Sequence, residues 1–592
     1  MDVELTSETV KTEQLGSLGL IASVIHELGI IDKIDERLAL NYKKGGQVSY
    51  GQRAAAMILN GLGFMNSRLY MTTHFFQDKP VEHLLGAKVT AEQLNDDCLG
   101  RLLDKIHEYG VTKLYSQIAF SIATEKELLG SRLHMDTTSL LLYGAYEESD
   151  DLNFLSVGKD IIENCSEKQA EEVKILNPAY GYSKANRPDL KQVILSLTQG
   201  GAANIPLWME ALSGNSSDQT SFHETARKMR DFMSRLENMP NDLCFIVDAA
   251  FYNVEKLKEL DAVKWITRVP STLAESKAWL GEDEENIEWE ELDENYKATS
   301  KLMTIKELEQ RWVLIYSKHA YERNLLTMNK KMLKSFEQIN KTLWHLSNKV
   351  FECPSDAQAA IKGMIGKLRY HTVTYDILPI EKYDSKGRPK ENTAKKISGY
   401  RISYYISSCL NKIKKQKNRL GRFILATNEL NTMQLTNEAI LRQYKEQSSV
   451  ESGFKFIKNS AFELDIVFLN TPERIEALMM IMTLCLMVYN FAQYKIRKCL
   501  VEHNDTLPNQ HGKPVKNPTM KWIAEIMVVI SVVTICAGEY KNRIVANVNQ
   551  VHRKIIGYFG PCALKMYGLP PDLEQVPIDH RNYKNFLSWC EM

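Results

Sequence analysis

The chain has 592 residues, 44% hydrophobic and 25% charged, with 74 basic and 74 acidic side chains. At ~100–200 residues per domain this amounts to three or four units with room for sizeable cores, which excludes a disordered or low-complexity chain. A formal net charge of zero also excludes a uniformly basic nucleic-acid-coating protein, so any such contact must come from local patches. The ten cysteines are scattered without a C-x-x-C pair, against a zinc ribbon or thioredoxin-like motif and in keeping with reduced cytosolic thiols. Met1–Gly16 is acidic and polar, unlike a signal peptide. The most apolar stretches, Ala477–Phe491 and Ile526–Ala537, fall short of the ~20 residues of a membrane span and are expected as buried helices or strands of a soluble protein.

In chain order, Leu15–Leu28, Gly51–Leu62 and the run from Leu102 to Ala123 carry apolar residues at three- and four-residue steps, which predicts a helical domain over residues 1–130. The pattern changes at Arg132. His134–Tyr143, Gln192–Thr198 and Ile205–Ala211 read as strands, and Asp218–Leu236 as a helix capped by Ser217 or Asp218. Leu243–Asp248 has the short apolar form of a buried strand, followed by a helix at Asn253–Leu260 and a strand at Trp265–Val269. That order predicts a ribonuclease-H-like mixed α/β sheet over 131–270, with Asp136 on its first strand and Asp248 ending its fourth. Residues 271–420 break the pattern and read as a β-rich insertion: a strand at Arg311–Tyr316, a charged helix at Tyr321–Lys349, and strands at Arg369–Leu378 and Tyr400–Ser407 around a Lys386–Pro389 turn. The strand Arg422–Thr427 and one helix from about Asn437 to Asn459 resume the core over 421–500. A helical tail, 501–592, is a candidate for dimerisation or DNA contact.

Three acidic residues stand out by their settings. Asp136 and Asp248 sit in otherwise apolar strands, where an unpaired carboxylate is costly; metal binding is one reading and a strand-end cap of the next turn is the other. Glu451 lies in Tyr444-x2-Gln447-x3-Glu451-x3-Lys455-x2-Lys458. On one helix at ~100° per residue, the other four fall within about 40° of Glu451. That face would pair a metal-holding carboxylate with phosphate-holding lysines; the alternative is an ordinary salt-bridged surface helix.

These residues carry a family resemblance. Tyr444…Glu451…Lys458 resembles the Tyr-x2-Arg-x3-Glu-x6-Lys signature of cut-and-paste insertion-sequence transposases of the family numbered four. His134-Met135-Asp136-Thr137-Thr138 and Val247-Asp248-Ala249-Ala250-Phe251 are similar to the family's two aspartate motifs. The sequence departs from the signature at Gln447, which lacks the charge of the usual arginine. The resemblance implies a DNA transposase with Asp136, Asp248 and Glu451 as catalytic metal ligands. It implies two Mg²⁺ per site, for which Mn²⁺ can substitute, and phosphoryl transfer that frees a 3′-hydroxyl and joins it to target DNA. It also implies double-stranded DNA partners (terminal inverted repeats and target), a homodimer on DNA, and a cytoplasmic, nucleoid-associated setting in a prokaryote. Relatives stack an aromatic from the insertion on a flipped base; Trp312 and Trp344 are candidates, with core packing as the other reading of each.

Between Lys386 and Arg422 twelve Lys or Arg residues, Lys412, Lys414, Lys415 and Lys417 among them, face one acid, Glu391. Tyr400, Tyr404 and Tyr405 interleave with them, a pattern expected of a phosphate-binding patch or, alternatively, of a solvated loop. Lys184, Arg187 and Lys191 form a second candidate contact. Two other functions use the same features: a ribonuclease-H-like nuclease without strand transfer, and a domesticated DNA-binding protein with weak catalysis.

Overall fold

The computed structural model describes residues 10–38, 48–63, 72–86, 88–142, 176–181, 187–216, 218–236, 242–260, 263–366, 368–383, 395–457, 471–537 and 540–570. The chain divides into two compact units, Met1–Phe251, Glu259–Lys264 and Lys445–Met592 in one, Tyr252–Lys258 and Trp265–Tyr444 in the other. The first opens with β1 (Val10–Gln14), α1 (Leu18–Glu27), α2 (Ile30–Arg37), α3 (Tyr50–Leu62), α4 (Thr72–Phe76), α5 (Val81–Leu85), α6 (Asp96–Tyr109) and α7 (Val111–Glu125). Next come β2 (Arg132–Leu142), β3 (Lys191–Gly200), β4 (Ile205–Ser213), α8 (Asp218–Met233) and β5 (Cys244–Val247). The second unit takes α9 (Val254–Lys258), β6 (Lys264–Arg268), α10 (Ala274–Leu280), β7 (Glu290–Glu291), β8 (Tyr296–Ile305), β9 (Leu308–Ser317) and α11 (Lys318–Ser347). It continues through α12 (Pro354–Ile365), β10 (His371–Tyr383), β11 (Lys395–Ser408), α13 (Leu410–Asn418), β12 (Arg422–Thr427) and α14 (Asn437–Lys445). The chain then returns to the first unit with α15 (Ser448–Ile457), α16 (Pro472–Glu502), β13 (Leu507–Pro508), β14 (Pro514–Val515), α17 (Met520–Met527), β15 (Ser531–Ala537), β16 (Tyr540–Ala546), α18 (Gln550–Phe559) and α19 (Pro561–Met566).

In the first unit the strands run in the order β4-β3-β2-β5. β2, β3 and β4 pair antiparallel, and β5 lies parallel to β2. Along the chain these elements follow one another as β2, β3, β4, α8 and β5, the succession that the sequence pattern predicts. Nearly every residue of β3 is buried, as expected for a strand covered on both faces. Helices α7 and α16 pack on β4, and α15 packs on β2. Helix α16 is long and apolar enough to cross a membrane, yet most of it is buried. It is apolar around nearly its whole circumference from Ala477 to Val488 and is the central helix of the unit, covered by α1, α3, α6, α7 and α18.

That requirement for cover corrects two expectations. The N-terminal helices pack on α16 and the tail rather than forming a body of their own, and the tail is not purely helical. Strand β1 pairs antiparallel with β15, which pairs with β16. The Tyr567 hydroxyl accepts from the Leu20 amide at 3.1 Å and donates to the Gly16 carbonyl at 2.6 Å; a Cβ on Gly19 would lie 2.7 Å from that ring. The run Leu102–Ala123 is two helices, parted at Gly110, whose φ of 98° belongs to glycine.

In the second unit the order is β6-β12-β9-β8-β7, with β12 pairing antiparallel to both β6 and β9. The strand read at Arg311–Tyr316 is β9, which stands beside β12 in this sheet rather than inside the insertion. The inserted segment proper runs from α11 through α12, β10, β11 and α13. It has a small core of its own, with Ile339 and Leu343 of α11 against Ala357 and Ile361 of α12 and Val373 and Ile402 of the β10–β11 ribbon. The Lys386–Pro389 turn lies outside the described residues.

Candidate active site

Strands β2 and β5 are parallel neighbours with Met135 opposite Val247, both fully buried. Asp136 and Asp248 each stand one residue beyond that pair, half-buried. Side chains alternate along a strand, so Asp136 shares its face with His134 and leaves Met135 to the core. A backbone amide orients each carboxylate: Thr137 donates to Asp136 Oδ1 at 2.7 Å, and Ala250 donates to Asp248 Oδ1 at 2.9 Å. At the strand spacing, roughly 5 Å, two carboxylates repel one another. They are also hard oxygen donors, the ligand type that Mg²⁺ takes, so these residues fit a divalent cation.

Glu451 stands in the first turn of α15, the helix that packs on β2. How closely α15 approaches the sheet is decided two residues later. A Cβ at Gly453 would lie 2.8 Å from Gln199 Nε2 and 3.0 Å from Leu486 Cδ2. Gln199 pairs with His134 across β3 and β2 and is fully buried, and neither its amide nitrogen nor its amide oxygen has a partner among the described residues. His134 is buried with Nε2 3.9 Å from Glu446 Oε2, and burial pushes its pKa down to about 4, so the ring is neutral at pH 7. Buried polar groups without partners are rare in folded proteins. Among the described residues no group of three His, Cys, Asp or Glu side chains is close enough to hold a metal.

The structure redistributes several sequence-predicted contacts. The helix expected from Asn437 to Asn459 is broken at Glu446-Gln447 into α14 and α15, so Tyr444 and Gln447 do not share one continuous helical face with Glu451. Gln447 sits in that turn, 8% exposed, and its carbonyl accepts from the Val450 amide; it is a packed turn residue rather than an open phosphate contact. The Tyr444 ring lies 6.4 Å from Phe423. Lys455 is exposed one turn beyond Glu451. Lys458 and Lys184 lie outside the described residues.

Arg187 is exposed and clamped on Asp189 through two close contacts, at 2.8 and 2.7 Å. Trp312 is fully buried, its indole donating to Gln310 and its ring packed between Tyr252 and Trp279. It is therefore a core residue and no stacking platform for a flipped base. Trp344 is 58% exposed on α11. Lys412, Lys414, Lys415 and Lys417 are exposed on α13, with Lys414 3.4 Å from Asp283 and Lys412 donating to the Leu368 carbonyl. Arg422 leaves the basic patch: it is buried, ion-paired with Glu284 and bonded to the Glu282 carbonyl.

A family model described as "Transposase DDE domain" matches residues 161–488, more than half the chain. The chain belongs to the DDE transposase family. It is a DNA transposase, an enzyme that uses a divalent metal and acts on DNA. The matched span contains Asp248 and Glu451 and opens after Asp136. A second model, a domain of unknown function (DUF4277), matches residues 10–120. A piggyBac transposase synaptic complex with hairpin DNA, solved by cryo-electron microscopy, aligns over 96% of this chain and 84% of that one, at 8% identity and a TM-score of 0.34. That likeness is too slight to bear on fold or function. No curated protein matches the sequence.

Among the site features, Gly453 and Gln199 are the residues that sequence reasoning missed. The available signal was a glycine two residues beyond Glu451, inside a helical pattern where glycine costs stability.

Proposed function

We propose that this transposase excises an element by cut-and-paste transfer and that Asp136, Asp248 and Glu451 hold two divalent ions for both steps. The support is the parallel register of β2 and β5, which sets Asp136 and Asp248 side by side under the helix bearing Glu451. Bound there, the ions would activate the attacking oxygen and stabilise the departing one. Asp136 and Asp248, oriented by the Thr137 and Ala250 amides, would supply fixed oxygens, and Glu451 of α15 the third carboxylate. In the first step water attacks the phosphodiester at the element end; the P–O3′ bond breaks, leaving a 3′-hydroxyl and a 5′-phosphate. In the second, that 3′-hydroxyl attacks a target phosphodiester and a target 3′-hydroxyl departs. Two ends joined in one reaction suit a homodimer on DNA, acting on the nucleoid of a prokaryotic cell.

The test is purified protein with Mg²⁺ and its element's end DNA, resolved on denaturing gels. Metal-dependent nicks at the element boundary followed by joining to a second DNA are expected. Cutting without joining would make the chain a nuclease, and binding with neither product a domesticated DNA-binding protein.

The exposed lysines of α13 are the proposed backbone contact. Changing Lys412, Lys414, Lys415 and Lys417 to Gln is expected to weaken end-DNA binding and lower the slope of log affinity against log salt by ~2–4. An unchanged slope would remove α13 from the interface.

A further inference from the structure

The β10–β11 ribbon is paired over its whole length from His371↔Ser408 to Tyr383↔Lys395. At ~3.3 Å per residue it is roughly 40 Å long, a little more than one turn of duplex DNA. Its two faces differ in kind. One carries Val373, Tyr375 and Ile377 with Ile402, Tyr404 and Ile406, and packs on the small core of α11 and α12. Toward the tip that face is charge-balanced, with Lys395 3.5 Å from Glu381.

The opposite face is exposed at most of its positions, with Ser407 and Ile380 half-buried and Gly399 buried beside Val350. Its base carries hydroxyls, with Thr372 bonded across the ribbon to Ser407 at 2.8 Å and Tyr405 70% exposed. Toward its tip Lys382 stands opposite Lys396, and Arg401 stands opposite Leu378, all of them exposed. Asp376, midway along, is the acid on that face among the described residues.

We propose that this outer face is a DNA arm that lies in the major groove, a channel wide enough for a two-stranded ribbon. Lys382, Lys396 and Arg401 contact the phosphates of the groove walls, and the Thr372, Ser407 and Tyr405 hydroxyls face the groove nearer the base of the ribbon. The proposal rests on the DNA transposase reading and adds to it a second contact surface, distinct from the α13 lysines.

The test uses the full-length protein and a duplex of about 40 base pairs from the end of its own element, long enough to span three turns. Binding is followed by fluorescence anisotropy across a salt series, and dimethyl sulfate protection reads guanine N7, a major-groove atom. The triple change Lys382→Gln, Lys396→Gln and Arg401→Gln is expected to lower the salt slope by ~2–3 and to erase N7 protection over about one turn. The charge-keeping set Lys382→Arg, Lys396→Arg and Arg401→Lys is expected to retain both. An unchanged slope and footprint in the Gln variant would overturn the proposal. So would unaltered DNA binding with a changed mass by light scattering, which would make the ribbon a contact between copies of this chain. Failure of the transposase reading would look different, because the unsubstituted protein would then neither bind nor cut the duplex.

Discussion

Asp136→Ala and Asp248→Ala are each expected to remove end cleavage and strand transfer together while leaving end-DNA binding within a few-fold of the parent. Both aspartates extend the last matched pair of two parallel strands, so their carboxylates act as one unit and removing either leaves an incomplete donor set. The expected loss is on the order of 10³-fold or more, the ~4 kcal/mol that a preorganised electrostatic contact contributes to a transition state. Glu451→Ala is expected to match them in activity. The check is product yield on denaturing gels beside anisotropy for binding and a thermal melt for folding. Substantial residual joining by any one variant would remove that residue from the triad.

Gly453→Val is expected to disable the enzyme from outside the triad. The added Cβ alone would approach Gln199 Nε2 to 2.8 Å and Leu486 Cδ2 to 3.0 Å, and Val adds two methyls beyond it. Both neighbours are buried, so the helix has to lift from β2 and β3. Overpacking of this kind costs ~1–3 kcal/mol, and a shift of ~1 Å in a catalytic group costs about 10²-fold in rate. Adding Gln199→Ala makes room beneath the helix and is expected to return part of the activity. A Gly453→Val enzyme as active as the parent would show that the approach of α15 to the sheet does not set the position of Glu451.

What could be read in advance was what local pattern controls. From Arg132 to Val269 each strand is a compact apolar run bounded by polar or glycine turns, so element types and their order were legible, and with them the places of Asp136 and Asp248. Long-range pairing was not. Strand β1 is a polar five-residue segment, Val10–Gln14, whose partner β15 stands at the other end of the chain, and nothing local marks it. Strand β9 looked like part of the insertion because an acidic stretch before it, Glu282–Glu294, breaks the pattern; its two-sided burial between β8 and β12 depends on residues more than a hundred positions later.

The break at Glu446-Gln447 was hidden because helical spacing carries through it from Tyr444 to Lys455. Gln447 therefore read as a surface variant of an arginine, whereas it is a buried turn residue. Trp312 and Trp344 were indistinguishable by type and were separated only by the packing around them. The charge count from Lys386 to Arg422 could not show that Arg422 is buried on Glu284, nor that Lys382, Lys396 and Arg401 share one face of the ribbon.

Manganese binding tests the central claim most directly. In a Mn²⁺ titration followed by loss of the free-ion electron paramagnetic resonance signal, the protein with end DNA is expected to bind two ions per chain. Asp136→Ala, Asp248→Ala and Glu451→Ala should each lose at least one of them while keeping the DNA. Equal Mn²⁺ binding by the parent and all three variants would contradict the assignment of Asp136, Asp248 and Glu451 as the metal site.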